Sequence, residues 1–285
     1  MIILKVNNVT VRYHSDAFKN MRWEKRLMSW ITGKGRARTF YALNKVSFKL
    51  EDGEVLGIIG KNGSGKSTLL KTIAGTITPV RGSVKCRKRI SALLELGTGF
   101  DRELTVRENI YLRAALLGYS REFLEAKYKD IIEFSELEDF ENSLYQNLSS
   151  GMRSRMAFSI VSIMEPEILV LDEVFSVGDG AFREKSRLKM MELMEAGVST
   201  ILVSHTLSQI RKLCTRVIWL DKGRLIMDGD TKTVCDAYNN YLDTGVLPDV
   251  QVPPPEKRAK SAPGSKSSGG KKQEIRKEGA RASAA

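Results

Sequence analysis

The stretch that decides the fold is the glycine-rich loop Gly60-Lys61-Asn62-Gly63-Ser64-Gly65-Lys66-Ser67. It fits the pattern G-x-x-x-x-G-K-[ST] without deviation. The largely apolar run 54–60 comes before it and is typical of a strand that is covered on both faces of a parallel sheet. A helix from about Lys66 to Ala74 is expected to follow. A buried strand, a glycine-rich loop and a helix in this order predict an α/β fold.

The residue types of this loop fit a phosphate chain. Its three glycines let the backbone fold closely around an anion, so that N–H groups point at the β-phosphate. The helix start adds its positive end, Lys66 adds a mobile charge for the β- and γ-phosphates, and the Ser67 hydroxyl takes one coordination place on Mg²⁺. A plain turn is the alternative, which the Lys-Ser pair between strand and helix disfavours. We define residues 60–67 as the phosphate loop; the candidate nucleotide-binding residues are Gly60, Asn62, Gly63, Ser64, Gly65, Lys66, Ser67 and Thr68.

A second candidate site is the acidic end of an apolar strand, Ile168-Leu169-Val170-Leu171-Asp172-Glu173. Carboxylates at the C-terminal end of a strand face the crevice where α/β sheets bind ligands. Asp172 is expected to hold Mg²⁺, directly or through water. Glu173 is expected to polarise the attacking water, as a general base or by orienting it. Many surface strands end in acids, so this interpretation depends on the phosphate loop about a hundred residues earlier.

The positive charge is concentrated in two segments. The formal net charge is +12, of which residues 14–38 carry +5 and residues 251–285 carry +6, so the remaining body is close to neutral. A neutral body does not suit a domain that grips duplex nucleic acid, and we expect no nucleic-acid partner. The two basic segments favour contact with something anionic at two places.

Composition also excludes several classes of protein. The longest apolar runs, such as 55–59 and 168–171, are far shorter than the roughly 20 residues that span a bilayer. Three unevenly spaced cysteines argue against a disulfide framework and for a reducing cytosol. With two histidines and no close cysteine pair, a structural metal site is not expected. The first residues lead into a strand pattern and lack the features of a signal peptide.

Periodicity predicts the remaining elements. Alternation predicts a strand over Ile2–Tyr13 with a hairpin partner over Ala42–Leu50, and charge pairs with helical spacing predict a helical lobe over Val106–Glu141. Further elements are predicted as a short strand after Gly82, a helix at about 151–164, strands at 168–171 and 200–203, a helix at about 183–195, strands near 217–220 and 224–228, and a last helix at about 234–242.

The segment Leu148-Ser149-Ser150-Gly151-Met152 opens a predicted helix about 21 residues before Asp172. Here the chain resembles the ATP-binding cassette (ABC) family, whose signature Leu-Ser-Gly-Gly-Gln stands at this place. The resemblance implies an ABC-type ATPase domain with a RecA-like parallel core, an antiparallel β subdomain and an α-helical subdomain, with ATP and Mg²⁺ as ligands. It also implies a head-to-tail homodimer, in which Leu148, Ser149, Ser150, Gly151 and Met152 act on the partner's ATP. The alternative is a plain helix N-cap by Ser149 or Ser150.

Other positions match landmarks of this family. Asp179, in the segment 176–179, matches the segment that crosses to the partner subunit. His205 follows a buried strand, where the family has a histidine that contacts the γ-phosphate, and it is a candidate catalytic residue beside Glu173. Glu95 stands near the place of the family's usual glutamine and is the nearest polar candidate for a metal contact. The family stacks an aromatic ring on adenine after its first strand; Tyr13 is the candidate, with Phe40 and Tyr41 as rivals.

Local features indicate one branch of the family. The segment 93–100, the variant signature and the segment 176–182 resemble the ATPase subunits of bacterial polysaccharide exporters. Such a resemblance implies a motor that exports O-antigen, capsular polysaccharide or teichoic acid on a lipid carrier. It further implies two copies of a polytopic membrane permease and a peripheral location on the cytoplasmic face of the bacterial inner membrane. Export of a drug or lipid is the rival within transport, and a soluble ABC ATPase that acts on ribosomes or DNA is the rival outside it.

The predicted nucleotide-binding domain covers residues 1–243, with an insertion at 14–40 and a helical subdomain at about 100–150, and a basic tail at 244–285 follows it. Within the insertion 14–40, residues 17–31 predict an amphipathic helix with an apolar arc, tryptophans at its border and a basic back, which suits a membrane interface or a membrane subunit. Packing on its own domain is the alternative. The basic tail 244–285 is predicted to be disordered, since it has too few large apolar residues to offset its ordering entropy. It is also too short and polar to form a carbohydrate-binding domain.

Overall fold

The computed structural model describes residues 1–14, 39–93, 99–172 and 178–248. The strands are β1 Ile2–His14, β2 Thr39–Glu51, β3 Val55–Ile59, β4 Arg81–Cys86, β5 Ile90–Ala92, β6 Ile168–Asp172, β7 Ser199–Val203, β8 Arg216–Asp221 and β9 Arg224–Asp230. The helices are α1 Lys66–Ile73, α2 Val106–Leu116, α3 Arg121–Ser135, α4 Ser150–Ile163, α5 Gly180–Glu195, α6 Leu207–Leu213 and α7 Thr231–Thr244, with 3₁₀ turns at Glu138–Phe140 and Tyr145–Asn147.

The larger sheet has six strands in the order β5-β6-β7-β3-β8-β9. Its pairs are parallel from β5 to β8, and β9 is antiparallel to β8. All side chains of β3 and β7 are buried, as expected for apolar strands in the middle of a sheet that is covered on both faces. The predicted parallel core is therefore confirmed.

The two faces of this sheet pack against different layers. Leu56 and Ile58 of β3 belong to a core shared with α1 and with a second, three-stranded antiparallel sheet of order β2-β1-β4. Val55 and Ile59 of the same strand belong to a core on the other face, shared with α4, α5, α6 and α7. This alternation places α1 and α7 on opposite sides of the strand that leads into the phosphate loop.

The predicted helical subdomain is also confirmed. Its core joins α2, α3 and α4 through buried side chains such as Ile110, Ile131 and Ile160. Helix α2 begins with a capping box, in which the Thr105 hydroxyl accepts from the Glu108 N–H and the Glu108 carboxylate accepts from the Thr105 N–H. These caps satisfy backbone donors that a helix start otherwise leaves unpaired.

Several elements differ from the sequence-based expectation. The three-residue strand β5 and the seven-residue helix α6 were not predicted, since neither is long enough to show a period. Helix α7 begins at Thr231, three residues before the predicted start, because the Asp230 side chain caps it by accepting from the Thr233 N–H at 2.9 Å.

Several predicted features lie outside the described residues: the amphipathic helix of 17–31, the basic tail beyond residue 248, Glu95 and Glu173. Among the helices in the described ranges, none has the length and hydrophobicity needed to cross a bilayer.

Candidate functional site: a nucleotide site at the sheet edge

Strand register brings the separate sequence motifs to one edge of the parallel sheet. Val203 of β7 is paired with Ile58 of β3 on one side and with Asp172 of β6 on the other. The phosphate loop begins two residues after Ile58, and His205 lies two residues after Val203. Because parallel strands end at the same edge, the loop, Asp172 and His205 all lie at the C-terminal edge where α/β folds bind ligands.

The phosphate loop has a shape that only glycine permits at two positions. Gly60 has φ 150°, and a Cβ there would lie 2.2 Å from the backbone oxygen of Leu220. Gly65 has φ 108°, and its Cβ would lie 2.5 Å from the backbone oxygen of Ala42. The loop is thus held against the ends of β8 and β2. Gly60 and Gly65 are explained by this close packing as well as by the ligand they were predicted to bind.

The turn between β8 and β9 is hydrogen-bonded to the phosphate loop. The Gly223 N–H donates to the Ser64 carbonyl at 2.8 Å, and the Gly223 carbonyl accepts from the Asn44 N–H at 2.8 Å. These contacts connect the loop to the hairpin of β1 and β2. The sequence motif gave no sign of Asn44 or Gly223, because their roles depend on how distant strands are placed.

Polar groups inside the loop are arranged for an anion. Lys66 is only 6% exposed, and its ammonium donates to the carbonyls of Gly60 at 2.8 Å and Lys61 at 3.2 Å. The buried Ser64 hydroxyl has no hydrogen-bond partner among the described residues. Helix α1 has no side-chain cap and no acid in its first turn, so its amide hydrogens are not taken up by either. A buried cation, an unpaired hydroxyl and an uncapped helix start are what a phosphate chain requires.

The residues predicted to hold Mg²⁺ have suitable oxygen donors. Ser67 is exposed in the first turn of α1, and Asp172 is half-buried at the end of β6. A hydroxyl and a carboxylate at one sheet edge are hard oxygen ligands, which Mg²⁺ prefers. The oxygen donors of Ser67 and Asp172 are therefore suitable ligands for Mg²⁺.

His205 is held at the sheet edge by a neighbour that the sequence analysis missed. The buried Ser204 hydroxyl donates to the Gln209 side chain at 2.8 Å and accepts from the Thr206 N–H at 3.0 Å. These bonds fix the turn between β7 and α6, and they leave the His205 side chain exposed. Ser204 is the first polar residue after an apolar strand, which is the one signal that pointed to it.

The three aromatic candidates for adenine stacking lie together. Tyr13 is paired with Phe40 across the hairpin, and Tyr41 is the next residue of β2. They are 44%, 56% and 47% exposed, and the following residue, Ala42, is the one whose carbonyl contacts Gly65. The described fold thus puts all three near the phosphate loop, and the choice among them stays open.

The start of α4 has the geometry of a capped helix. The Ser149 hydroxyl accepts from the Met152 N–H at 3.2 Å, so Ser149 and not Ser150 is the N-cap. Leu148 is buried, and Met152 packs against the core of the helical subdomain. Ser149 and Ser150 are exposed, and a Cβ on Gly151 would meet nothing closer than the Ser149 hydroxyl at 3.9 Å. The signature therefore combines a helix cap with an open backbone surface.

Asp179 lies at the start of another helix without capping it. It precedes α5, and its side chain makes no capping hydrogen bond. The residue before it, Gly178, has φ 85° and a Cβ position 3.0 Å from the Phe182 ring, so the backbone is packed while the carboxylate is exposed. The Asp179 carboxylate is therefore not held by its own helix and can contact another surface.

Two groups of predicted site residues belong to different parts of the fold. The phosphate loop, Asp172 and His205 lie at one sheet edge, whereas the segment 148–152 belongs to the helical subdomain. Within the part of the chain that the structure describes, no hydrogen bond joins Ser149 to the phosphate loop. Glu95 and Glu173 lie outside that part.

Comparison with known proteins gives consistent matches. A family model described as ABC transporter matches residues 43–176. The O-antigen export system ATP-binding protein RfbB of Klebsiella pneumoniae is 43% identical over 207 residues, which cover 73% of this chain and 84% of that protein. The teichoic acids export ATP-binding protein TagH of Staphylococcus haemolyticus is 36% identical over 241 residues, which cover 85% and 89% of the two chains.

Solved structures agree in fold. An ATP-binding subunit of an ABC transporter superposes with a TM-score of 0.63 at 22% identity, covering 86% of this chain and 95% of that one. The ATP-binding cassette MJ0796, a dimer in a post-hydrolysis state with ADP and phosphate, superposes with a TM-score of 0.60 at 24% identity and 80% and 99% coverage. At such identities the likeness concerns the fold alone.

Proposed function

This chain belongs to the ABC transporter family, as an ATP-binding subunit and ATPase, and we propose that it powers the export of a lipid-linked cell-surface polysaccharide. One observation supports this cargo. Relatives named for O-antigen export and for teichoic acid export each match most of the chain, at 43% and 36% identity. Both cargoes are cell-surface glycans, although the relatives come from different bacteria.

The proposed hydrolysis site lies at the C-terminal edge of the parallel sheet. Lys66 and the loop N–H groups bind the β- and γ-phosphates of ATP, and Ser67 and Asp172 hold Mg²⁺. When bound there, the ion would neutralise part of the negative charge of the triphosphate. Glu173 follows Asp172 directly and orients or deprotonates the attacking water, and His205 contacts the γ-phosphate from the neighbouring strand. Tyr13, Phe40 or Tyr41 stacks on the adenine.

A second copy of the chain completes the site. The exposed start of α4, with Ser149, Ser150 and Gly151, offers hydroxyl and N–H donors to an anion but makes no hydrogen bond to its own phosphate loop among the described residues. In a head-to-tail homodimer it meets the γ-phosphate bound by the partner. The Asp179 carboxylate, which makes no capping hydrogen bond to its own helix, lies at the same subunit interface. Each ATP then joins two subunits.

The motor acts on a membrane permease. An export-system ATP-binding subunit requires a membrane partner, and we propose two copies of a polytopic permease with this homodimer bound peripherally at the cytoplasmic face. The basic amphipathic segment 17–31 is proposed to contact the membrane surface or the permease. ATP-driven closure of the dimer then moves the permease and its lipid-linked glycan.

Replacement of Glu173 tests the hydrolysis mechanism. Glu173→Gln removes the base but keeps the size of the side chain, so ATP binding should be preserved and turnover abolished. Phosphate release and nucleotide binding by the purified variant measure the two effects. Hydrolysis at the wild-type rate would remove Glu173 from this role.

A cellular experiment tests the cargo. Cells without this subunit should lose the surface polysaccharide and accumulate its lipid-linked form inside, and the wild-type gene but not Glu173→Gln should restore export. Surface glycan immunoblotting and extraction of lipid-linked sugars measure both pools. An unchanged surface glycan together with loss of resistance to a drug would favour the rival cargo instead.

A further inference from the structure

We propose that Tyr241 of α7 is a positioning residue for the phosphate loop, acting through Lys61. The inference rests on the proposed nucleotide site and adds to it a residue about 180 positions away in sequence. The Lys61 ammonium lies 4.2 Å from the centroid of the Tyr241 ring. A cation over the face of an aromatic ring at this distance is attracted by the negative electrostatic potential of the ring face.

Lys61 takes part in the hydrogen bonding of the phosphate loop through its backbone carbonyl. Its carbonyl accepts from the Lys66 ammonium at 3.2 Å and from the Ser64 N–H at 3.1 Å. The side chain of Lys61 is bound to Tyr241 while its backbone holds the cation for the phosphates. Displacement of Lys61 therefore changes the position of Lys66 as well.

Tyr241 is itself firmly held by the sheet. Its ring lies 5.0 Å from that of Trp219, and it is only 9% exposed. Trp219 of β8 is paired with Ile59, the last residue of β3 before the loop. The chain leaves Ile59 and reaches Lys61 two residues later, so the ring stands directly where the loop begins.

Helix α7 is fixed at its beginning, which keeps the ring in place. The Thr231 hydroxyl donates to the Cys214 carbonyl at 2.8 Å, and Arg211 of α6 forms an ion pair with Asp236 at 2.5 Å. Helix α7 is thus anchored near its start, and Tyr241 lies near its other end, where its ring contacts Lys61.

Loss of the ring should loosen the loop before ATP binds. Lys61 is exposed, so without the ring its ammonium would turn to water and the loop would sample more conformations. ATP would then have to order the loop on binding. Since the loop holds the phosphates in the ground state and in the transition state alike, the expected effect is on KM and not on kcat.

The variants Tyr241→Leu, Tyr241→Phe and Tyr238→Leu separate this role from packing. Tyr238 lies on the same helix and packs on Trp219 at 5.2 Å, but it holds no lysine among the described contacts. In the full-length protein, Tyr241→Leu should raise KM for MgATP by about two- to fivefold at unchanged kcat. Tyr241→Phe keeps the ring and should restore the wild-type KM. Tyr238→Leu should lower the melting temperature without raising KM.

A double-mutant cycle that combines Tyr241→Leu with Lys61→Met tests the coupling between the two residues. If Tyr241→Leu folds poorly, Tyr241→Met takes its place in the cycle. In the Lys61→Met background, removal of the ring should leave KM unchanged. An unchanged KM in Tyr241→Leu, an equal rise in Tyr238→Leu, or additive effects in the cycle would each overturn the proposal. A wild-type protein that binds no ATP would instead refute the proposed nucleotide site.

Discussion

At the scale of single residues, the phosphate loop shows why its sequence is so restricted. Gly60 and Gly65 combine backbone angles that other residues rarely adopt with contacts that leave no room for a Cβ. Gly63 has φ 76° but open space around its Cβ position. The motif therefore contains one glycine needed for its backbone angle alone and two needed for packing as well. This restriction on residue type fixes the spacing of the glycines, and that spacing is why the loop could be predicted from its motif.

The glycines allow a matched pair of substitutions. Gly63→Ala should cost about 1–2 kcal/mol of unfolding free energy, the strain of a left-handed residue with a Cβ. Gly60→Ala should cost more, because its Cβ also meets the Leu220 backbone at 2.2 Å. Urea unfolding measures both. An equal cost for the two variants would mean that the contact between the loop and β8 is not as tight as described.

Other residues of the site could not be predicted, for physical reasons. The choice among Tyr13, Phe40 and Tyr41 depends on the register of β1 and β2, which shifts several times through bulges. The contact of Lys61 with Tyr241 depends on the packing of the last helix against β8. Neither strand alternation nor motif spacing contains this information.

At the scale of elements, three helices begin with the same type of side-chain cap. Thr105 and Ser120 cap α2 and α3, and Ser149 caps α4 with the same type of bond. What distinguishes Ser149 is its place in the family's signature and the exposed backbone that follows it. The long elements were predicted from periodicity, while β5 and α6 were too short to be predicted in this way.

An aspartate substitution separates the two roles of Ser149. Ser149→Asp keeps an acceptor for the Met152 N–H, so stability should be within about 0.5 kcal/mol of wild type. Its negative charge should repel the γ-phosphate of the partner's ATP and abolish hydrolysis. Ser120→Asp, the same change at the cap of α3, is the control and should hydrolyse ATP normally. Normal hydrolysis by Ser149→Asp would reduce Ser149 to a structural cap.

The capping box of α2 predicts a pH dependence. Hydrogen bonds from the Thr105 backbone N–H and hydroxyl lower the pKa of the Glu108 carboxyl below its usual value of 4.5. A lowered pKa in the folded state stabilises the protein above the unfolded pKa, and this stabilisation is lost as pH falls through the folded pKa. Glu108→Gln keeps an acceptor but does not titrate.

Urea unfolding of wild type and Glu108→Gln at several pH values measures this effect. The wild type should be the more stable protein at pH 7, and the difference should shrink as pH falls to about 3. A difference that stays constant over this range would show that the carboxylate is not held by the cap in solution.

At the scale of the whole molecule, the parallel sheet gathers motifs that are more than a hundred residues apart. Ile58, Val203 and Asp172 are register partners in the neighbouring strands β3, β7 and β6, so the phosphate loop, Asp172 and His205 share one edge. The motifs and their order could be predicted because each one carries a local signal. Their convergence at one sheet edge follows from the strand topology, and we propose that a second molecule completes the site.

The most direct test of the shared site is sedimentation velocity of the Glu173→Gln protein with and without MgATP. Blocked hydrolysis should trap a dimer when MgATP is present, and a second substitution, Ser149→Asp, should return it to monomers. A Glu173→Gln protein that binds MgATP and still sediments as a monomer, also when its permease is supplied, would contradict a site formed by two copies.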